Sequence, residues 1–211
     1  MKEVFVVGAG GHAKVSIDIL QSSGYTVVGI VDDNPSMLGK TVSGVQVIGQ
    51  SSILEELYRS GLKEAFIAIG NNQIRMKIAE KMERMGFSFV KAIHPRSIVA
   101  SSVQVGDGSL VAAGAVLNPD SCIGKQVIVN TGATVDHDCM VEEGAHIAPG
   151  SHLAGQVFIG KRTHIGIGTS VIQGIHIGED SIVGAGSVVV RSLPAKVKAY
   201  GVPARIVETL I

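Results

Sequence analysis

Ile159-Gly160-Lys161-Arg162-Thr163-His164-Ile165-Gly166-Ile167-Gly168-Thr169-Ser170-Val171-Ile172-Gln173-Gly174-Ile175-His176-Ile177 carries an aliphatic side chain at every sixth position, and the pattern runs on in both directions. Positions 99, 105, 111, 117, 123, 129, 135, 141, 147, 153, 159, 165, 171, 177, 183 and 189 are all Val, Ile or Leu. With those types at about a quarter of such a chain, chance gives this run about once in 10⁹, so the period is a structural repeat. Four residues further on the side chain is usually small, as at Ser109, Ala115, Ser121, Ala133, Ala145, Ser151, Thr163, Thr169, Ser181 and Ser187. A six-residue period fits a β-solenoid in which each hexapeptide forms one face, three faces close a coil and the aliphatic residue points to the axis. Sandwich strands would need period-two alternation with turn signals every ~8–12 residues, which fits less well. Gly124, Gly144, Gly160, Gly178 and Gly184 are expected at corners that are crowded or need positive φ.

Before about Ser97 the grammar is different. Short β-branched runs alternate with helical stretches, as in a parallel sheet covered by helices. Strands are predicted at Val4–Val7, Val27–Val31, Ala65–Ile69 and Phe87–Ile93, and helices at Ala13–Leu20 (with its apolar residues at Val15, Ile19 and Leu20), Ser51–Arg59 and Ile74–Met85. The predicted fold is therefore α/β plus β-solenoid: a small Rossmann-like domain over residues 1–95 and a parallel β-helix over 96–211.

The 211 residues include 27 glycines and no tryptophan, and 18 basic residues balance 18 acidic ones. A neutral chain lacks the cationic surface that nucleic acid requires. Cys122 and Cys139 suit a reducing compartment and read as small buried apolar residues. The apolar run at Val4–Val7 is too short for a signal-peptide core, and no membrane-spanning segment is present, so a cytoplasmic protein is expected.

Several motifs stand in order along the chain: Gly8-Ala9-Gly10-Gly11-His12, Asp32-Asp33, Gly70-Asn71-Asn72, Asn130 to Cys139 with Asp136-His137-Asp138 at its centre, His146-Ile147-Ala148-Pro149-Gly150, and Gly201-Val202-Pro203-Ala204-Arg205. Together with the hexapeptide period they resemble the left-handed β-helix sugar acetyltransferases of bacteria. The matching branch includes sialic-acid O-acetyltransferases and N-acetyltransferases of UDP-linked 4-amino-4,6-dideoxy sugars. The resemblance implies acetyl-CoA as cosubstrate, a UDP-sugar acceptor, a homotrimer with coenzyme sites between subunits, and a direct ternary-complex mechanism.

Acyl transfer from a thioester needs a base for the nucleophile's proton, and imidazole suits that task near neutral pH. The resemblance makes His137 the base and Asp138 the residue that orients it, with Asp136 as a substitute orienting group. It also puts His146 near the thioester, Ile167 and Ala185 along the coenzyme groove, and Asn130 in the active site. Gly10, Gly11 and His12 would meet the glycan-nucleotide, Asp32 and Asp33 the nucleotide, and Gly70, Asn71 and Asn72 a further wall.

Taken alone, Gly8 to Ala13 matches a dinucleotide fingerprint, with Asp32 about 20 residues later. A domain this short lacks the second half of a complete NAD site, which argues against oxidoreduction. His146, His152, His164 and His176 share one place in their hexapeptides, yet only His146 and His164 are one coil apart, too few ligands for a metal site. Cys139 falls where small residues face inward, which argues against a nucleophile. Val103, Leu110, Val127, Ile128, Phe158 and Ile172 lie outside the aliphatic register and are candidates for subunit packing. The alternatives are O-acetylation of sialic acid or another capsule or exopolysaccharide sugar, and a non-catalytic nucleotide-sugar-binding protein.

Overall fold

A computed structural model describes residues 2–210, which divide into two compact units at Pro95 and Arg96. In the first unit the elements run β1 (Lys2–Val7), α1 (Gly11–Ser22), β2 (Tyr25–Val31), β3 (Thr41–Val42), β4 (Val45–Gly49), α2 (Leu54–Arg59), β5 (Glu64–Ile67), α3 (Asn72–Arg84), β6 (Ser88–Phe89) and β7 (Ala92–Ile93). The sheet order is β3-β4-β2-β1-β5-β6, parallel except for the β3–β4 hairpin.

β1 lies at the centre and is buried from Val4 to Val7, as expected of a strand covered on both faces. Phe5 and Val7 pack with Val31, Ile67, Leu54, Ala79 and Met82, so α2 and α3 cover one face. Val4 and Val6 alternate to the opposite face, where α1 buries Ala13, Ile17 and Leu20.

Three details differ from the sequence reading. The β3–β4 hairpin is additional; it turns through Ser43 and Gly44, both at positive φ. The stretch 87–93 is two short strands rather than one. Val15, expected among the apolar residues of its helix, is 39% exposed, and Ile17 takes the buried place.

In the second unit strands of two residues repeat around a coil of three sheets. One sheet stacks Leu110–Val111, Ile128–Val129, His146–Ile147, His164–Ile165 and Ile182–Val183, each pair shifted by 18 residues. A second runs from Ile98–Val99 to Val188–Val189, and a third from Gln104–Val105 to His176–Ile177. Val197–Gly201 continues the first sheet, and Ala204–Thr209 closes it in antiparallel fashion. The aliphatic positions from 111 to 189 are all buried, while Val99 and Val105 in the first coil are partly exposed. Each buried aliphatic side chain stabilises by about 1.5–3 kcal/mol. The small residues fasten successive coils: Ser151 Oγ donates to Gly166 O at 2.8 Å and Thr163 Oγ1 to Gly178 O at 2.7 Å.

At every sixth residue from 108 to 186 the chain turns a corner at positive φ, so that three columns of such residues climb the coil. Glycine fills many of these positions, but Asp120, Gln126, Asp138, Gln156, Arg162 and Asp180 also adopt this conformation. Of the expected corner glycines, only Gly144 has positive φ. The others serve close approach: a Cβ on Gly124 would stand 2.7 Å from Glu143 N, and one on Gly160 2.5 Å from Glu179 N.

Some out-of-register residues are also reassigned. Val127 shares the inward place of the small residues, and Leu110 and Ile128 are buried within the chain, so none of the three offers a free packing face. Cys122 lies at an outward strand position and is half-buried rather than buried.

Candidate active site

Val135 points into the coil, and the chain then turns outward through Asp136 and His137 to the positive-φ corner at Asp138 before Cys139 points in again. Adjacent coils clamp this turn. Asp138 N donates to Pro119 O, and His137 O accepts from Gln156 N at 2.9 Å. Asp136 Oδ1 accepts from His137 N at 2.8 Å and from Asn118 Nδ2 at 2.9 Å. Asp136 thus shapes the backbone, and Asp138 is the carboxylate on the ring: His137 Nδ1 lies 2.8 Å from Asp138 Oδ2.

An ionised carboxylate only accepts, so Nδ1 carries the proton and Nε2 keeps a lone pair in the neutral ring. The hydrogen bond to Asp138 raises the imidazole's pKa above its ordinary value, with further help from the charges of Asp136 and Asp138. The ring is 56% exposed. An oriented, accessible imidazole of this kind can accept a proton from an incoming amine or hydroxyl.

His146, on a neighbouring sheet, is joined to Asn130, whose Nδ2 stands 3.1 Å from His146 Nε2 while its Oδ1 accepts from Thr131 N. His164 packs edge-on against His146 with ring centroids 4.9 Å apart. The other two histidines stand on the other two sheets, where His152 meets Thr134 at 3.0 Å and His176 stacks on Phe158. Ile167 and Ala185 precede successive corners of one column and are both exposed. Cys139 is buried with Sγ donating to Ala154 O, and burial pushes its thiol pKa up, which disfavours a thiolate.

In the first unit, Gly8 has φ +103, and a Cβ there would meet Ala68 O at 3.0 Å. Gly10, Gly11 and Gly70 are different: nothing lies within 4 Å of a Cβ built on any of them, so another molecule can approach their backbone closely. Gly10 caps α1 without a side-chain hydrogen bond. Asp32 binds the glycine turn itself, with Oδ2 accepting from Ala9 N at 2.6 Å and Oδ1 from Asn34 N at 2.9 Å. Asp33 Oδ1 accepts from Ser51 N at 2.7 Å, which lowers its pKa. Asn71 Oδ1 caps α3 through Ile74 N.

A cavity of about 290 Å³ opens beside this turn, bordered by Gly8, Asp32, Asp33, Asn34, Ser51 and Lys81 over an apolar floor that includes Leu54 and Ile78. Gly10, Gly11, His12 and the Gly70–Asn72 turn do not line it.

Two buried polar groups stand near these turns. Arg75 is 1% exposed, with its guanidinium donating to Ile69 O at 2.9 Å and to Asn72 Oδ1 at 2.9 Å. Burial lowers its pKa to about 10. His12 Nε2 is buried with no hydrogen-bond partner among the described residues, and burial, followed by the charge of Arg75, lowers its pKa to about 4. His12 is therefore neutral near pH 7. Arg75, Asn118, Ser51 and Lys81 were not singled out by the sequence reading, because none belongs to a short motif and each matters only through the fold.

An oriented imidazole on a hexapeptide coil, joined to a nucleotide-type α/β unit, defines a class: acyltransferases of the left-handed parallel β-helix. Comparison with known proteins narrows it. Residues 3–82 match the PglD N-terminal domain, and residues 96–119 and 156–191 the hexapeptide repeat of succinyl-transferase. PerB from Caulobacter crescentus, solved in complex with CoA and GDP-perosamine, is 48% identical, with a TM-score of 0.94 over 99% of this chain and 98% of that one. The acetyltransferase domain of PglB from Neisseria gonorrhoeae, solved with acetyl coenzyme A, is 38% identical, with a TM-score of 0.91 over 98% and 99%. UDP-N-acetylbacillosamine N-acetyltransferase of Bacillus subtilis is 39% identical over 54% of this chain and 52% of its own length. The aligned segments span between 24% and 55% of the lengths of the curated relatives. The chain belongs to the family of bacterial hexapeptide-repeat sugar acetyltransferases. No helix of the described residues is long and apolar enough to cross a membrane.

Proposed function

We propose that this chain transfers the acetyl group of acetyl-CoA to the amine of a nucleotide-linked 4-amino-4,6-dideoxy sugar, with His137 as general base. The observation that carries the reading is the exposed imidazole bonded through Nδ1 to Asp138 at 2.8 Å. The neutral sugar amine attacks the thioester carbonyl while Nε2 takes one of its protons. Collapse of the tetrahedral intermediate breaks the carbon–sulfur bond, and the proton passes to the departing sulfur, giving an amide and free CoA thiol. No covalent enzyme intermediate is needed. His146, joined to Asn130, stands beside the thioester, and Ile167 and Ala185 border the pantetheine arm of the coenzyme.

The first unit holds the nucleotide, with the base and ribose in the cavity beside Asp33, Ser51 and Lys81. The diphosphate meets the open backbone at Gly10 and Gly11, where α1 offers uncapped amides and the positive end of its dipole. Gly70 to Asn72 form a second wall, and Asp32 keeps the glycine turn in shape.

An amine acceptor is favoured over a hydroxyl because relatives from Caulobacter crescentus, Bacillus subtilis and Escherichia coli are named N-acetyltransferases. The family resemblance suggests a UDP sugar, as does the Bacillus relative. The full-length likeness to a protein solved with GDP-perosamine makes a GDP-linked amino sugar the first acceptor to try. In this reading the chain acts in the cytoplasm as a homotrimer, with exposed apolar residues such as Met140 and Ile172 available for subunit contact. Light scattering tests the assembly, and a monomeric mass rejects it.

The test of function is thiol release from acetyl-CoA with GDP- and UDP-linked 4-amino sugars and with sialic acid, using wild type and His137→Ala. Turnover with an amino sugar that disappears in the variant is expected. Turnover with sialic acid alone would transfer the chain to the O-acetylating branch, and full activity in His137→Ala would remove the base assignment.

A further inference from the structure

Before each corner of the coil stands one residue that precedes the positive-φ position. Thr131, Pro119, Pro149 and Ile167 occupy this place at different corners, so its backbone suits branched and ring-closed side chains and does not call for glycine. From 107 to 185 it is glycine at Gly155 alone. These residues are exposed or half-buried at every other corner, but Gly155 is buried.

Gly155 stands one coil beyond His137, and the imidazole covers it. A Cβ built on Gly155 would lie 2.5 Å from His137 Nε2, 2.6 Å from Cε1 and 3.2 Å from Cδ2. Its φ is not in the left-handed region, so nothing in the backbone asks for glycine. Nε2 is also the nitrogen left for the acceptor once Nδ1 is bonded to Asp138.

We propose that Gly155 is a positioning residue for His137: the side chain it lacks leaves the space in which the imidazole rests while Nδ1 stays bonded to Asp138. A methyl group there either drives the ring outward, breaking its alignment with Asp138, or shields Nε2 from the acceptor. The exposed ring is free to move, so alanine leaves the coil folded and changes the chemistry. The inference rests on the reading of His137 as base, and its test separates the two.

Gly155→Ala, His137→Ala and the control Gln173→Ala, which changes the same column one coil further on, are compared with wild type by thiol-release kinetics and by NMR of ring-labelled histidine. The charges that act on the ring are those of Asp136 and Asp138 on its own turn; Asp120 occupies the corresponding corner one coil earlier, and Gln156, on the coil beyond, is uncharged. In Gly155→Ala, kcat falls about 100-fold, as expected for a catalytic group displaced by about 1 Å, while the KM for acetyl-CoA stays near wild type. The His137 titration, read without substrates, moves down toward that of an ordinary imidazole, and Gln173→Ala alters neither readout. Unchanged His137 resonances together with wild-type kcat in Gly155→Ala overturn the proposal. If His137→Ala retains activity, the base reading fails, and the NMR shift alone then decides whether Gly155 seats the ring. Should Gly155→Ala lower the melting midpoint, the double variant with His137→Ala separates the causes. Recovery to the midpoint of His137→Ala supports the clash with the ring, and persistence of the loss refutes it.

Discussion

His137 and His12 stand in opposite surroundings. On the coil, His137 is 56% exposed at a corner and has its pKa raised by Asp138. In the α/β unit, His12 is held neutral by burial beside Arg75. The same contrast runs through the two units. Candidate residues on the coil sit on a scaffold that the inward aliphatic ladder holds up without them. In the α/β unit they are part of the scaffold: Asp32 fastens the glycine turn, Asn71 caps α3 and Asn72 accepts from Arg75. Substitutions on the coil should therefore separate activity from stability, and those in the α/β unit should mix them.

The largest effect sharpens the coil side of this contrast. His137→Ala lowers kcat/KM by about 10³-fold, within the usual range for a lost general base, and leaves the melting midpoint near wild type. A fall of several degrees would break the comparison. On the other side, Arg75→Met leaves Ile69 O and Asn72 Oδ1 without their buried donor and destabilises the chain by about 3 kcal/mol in urea titration. It also raises the KM for the nucleotide sugar. Wild-type stability in this variant would show that the α/β turns do not depend on the guanidinium.

pH separates the units as well. His12 has a folded pKa of about 4 against 6.5 for an ordinary imidazole, so between these values the unfolded chain binds more protons. Its contribution to stability is complete above pH 6.5 and is lost as pH falls toward 4, by at most about 3 kcal/mol. Hydrogen exchange of β1 amides over this range should report the loss, and His12→Gln should flatten it. For His137 the sign is opposite: its raised pKa means that activity climbs with pH through a midpoint above that of a free imidazole. Asp138→Asn should shift this limb to lower pH and reduce kcat, as loss of an orienting carboxylate does. An unmoved limb would assign the orientation elsewhere. Smallest of all, Asn71→Ala removes a helix cap and costs about 1 kcal/mol in the same urea titration.

What could be read in advance follows the same division. The inward ladder was legible because one side chain in six repeats the same environment, and the motif around His137 was legible because it interrupts that regularity. The choice of Asp138 over Asp136 rested on the resemblance alone, since sequence adjacency is equal; in the structure Asp138, at positive φ, is the one whose carboxylate meets Nδ1. The β3–β4 hairpin escaped because its strands are short, although Ser43-Gly44 between Val42 and Val45 is a turn signal. Arg75 sits in an ordinary helical pattern, and nothing local distinguishes it from an exposed arginine. Gly155 was readable only after the corner register was known, as a glycine in a place that elsewhere takes proline, threonine or isoleucine.

The strict spacing of the corners also limits how such a chain can change length. Because neighbours in each sheet are 18 residues apart, inserting one hexapeptide would carry every later side chain to the next face and separate His137 from Gly155 if placed between them. A whole coil added beyond Gly155 preserves their juxtaposition. The scaffold can thus grow in steps of one full turn, or bulge outward at a corner, without disturbing the edge on which the imidazole stands.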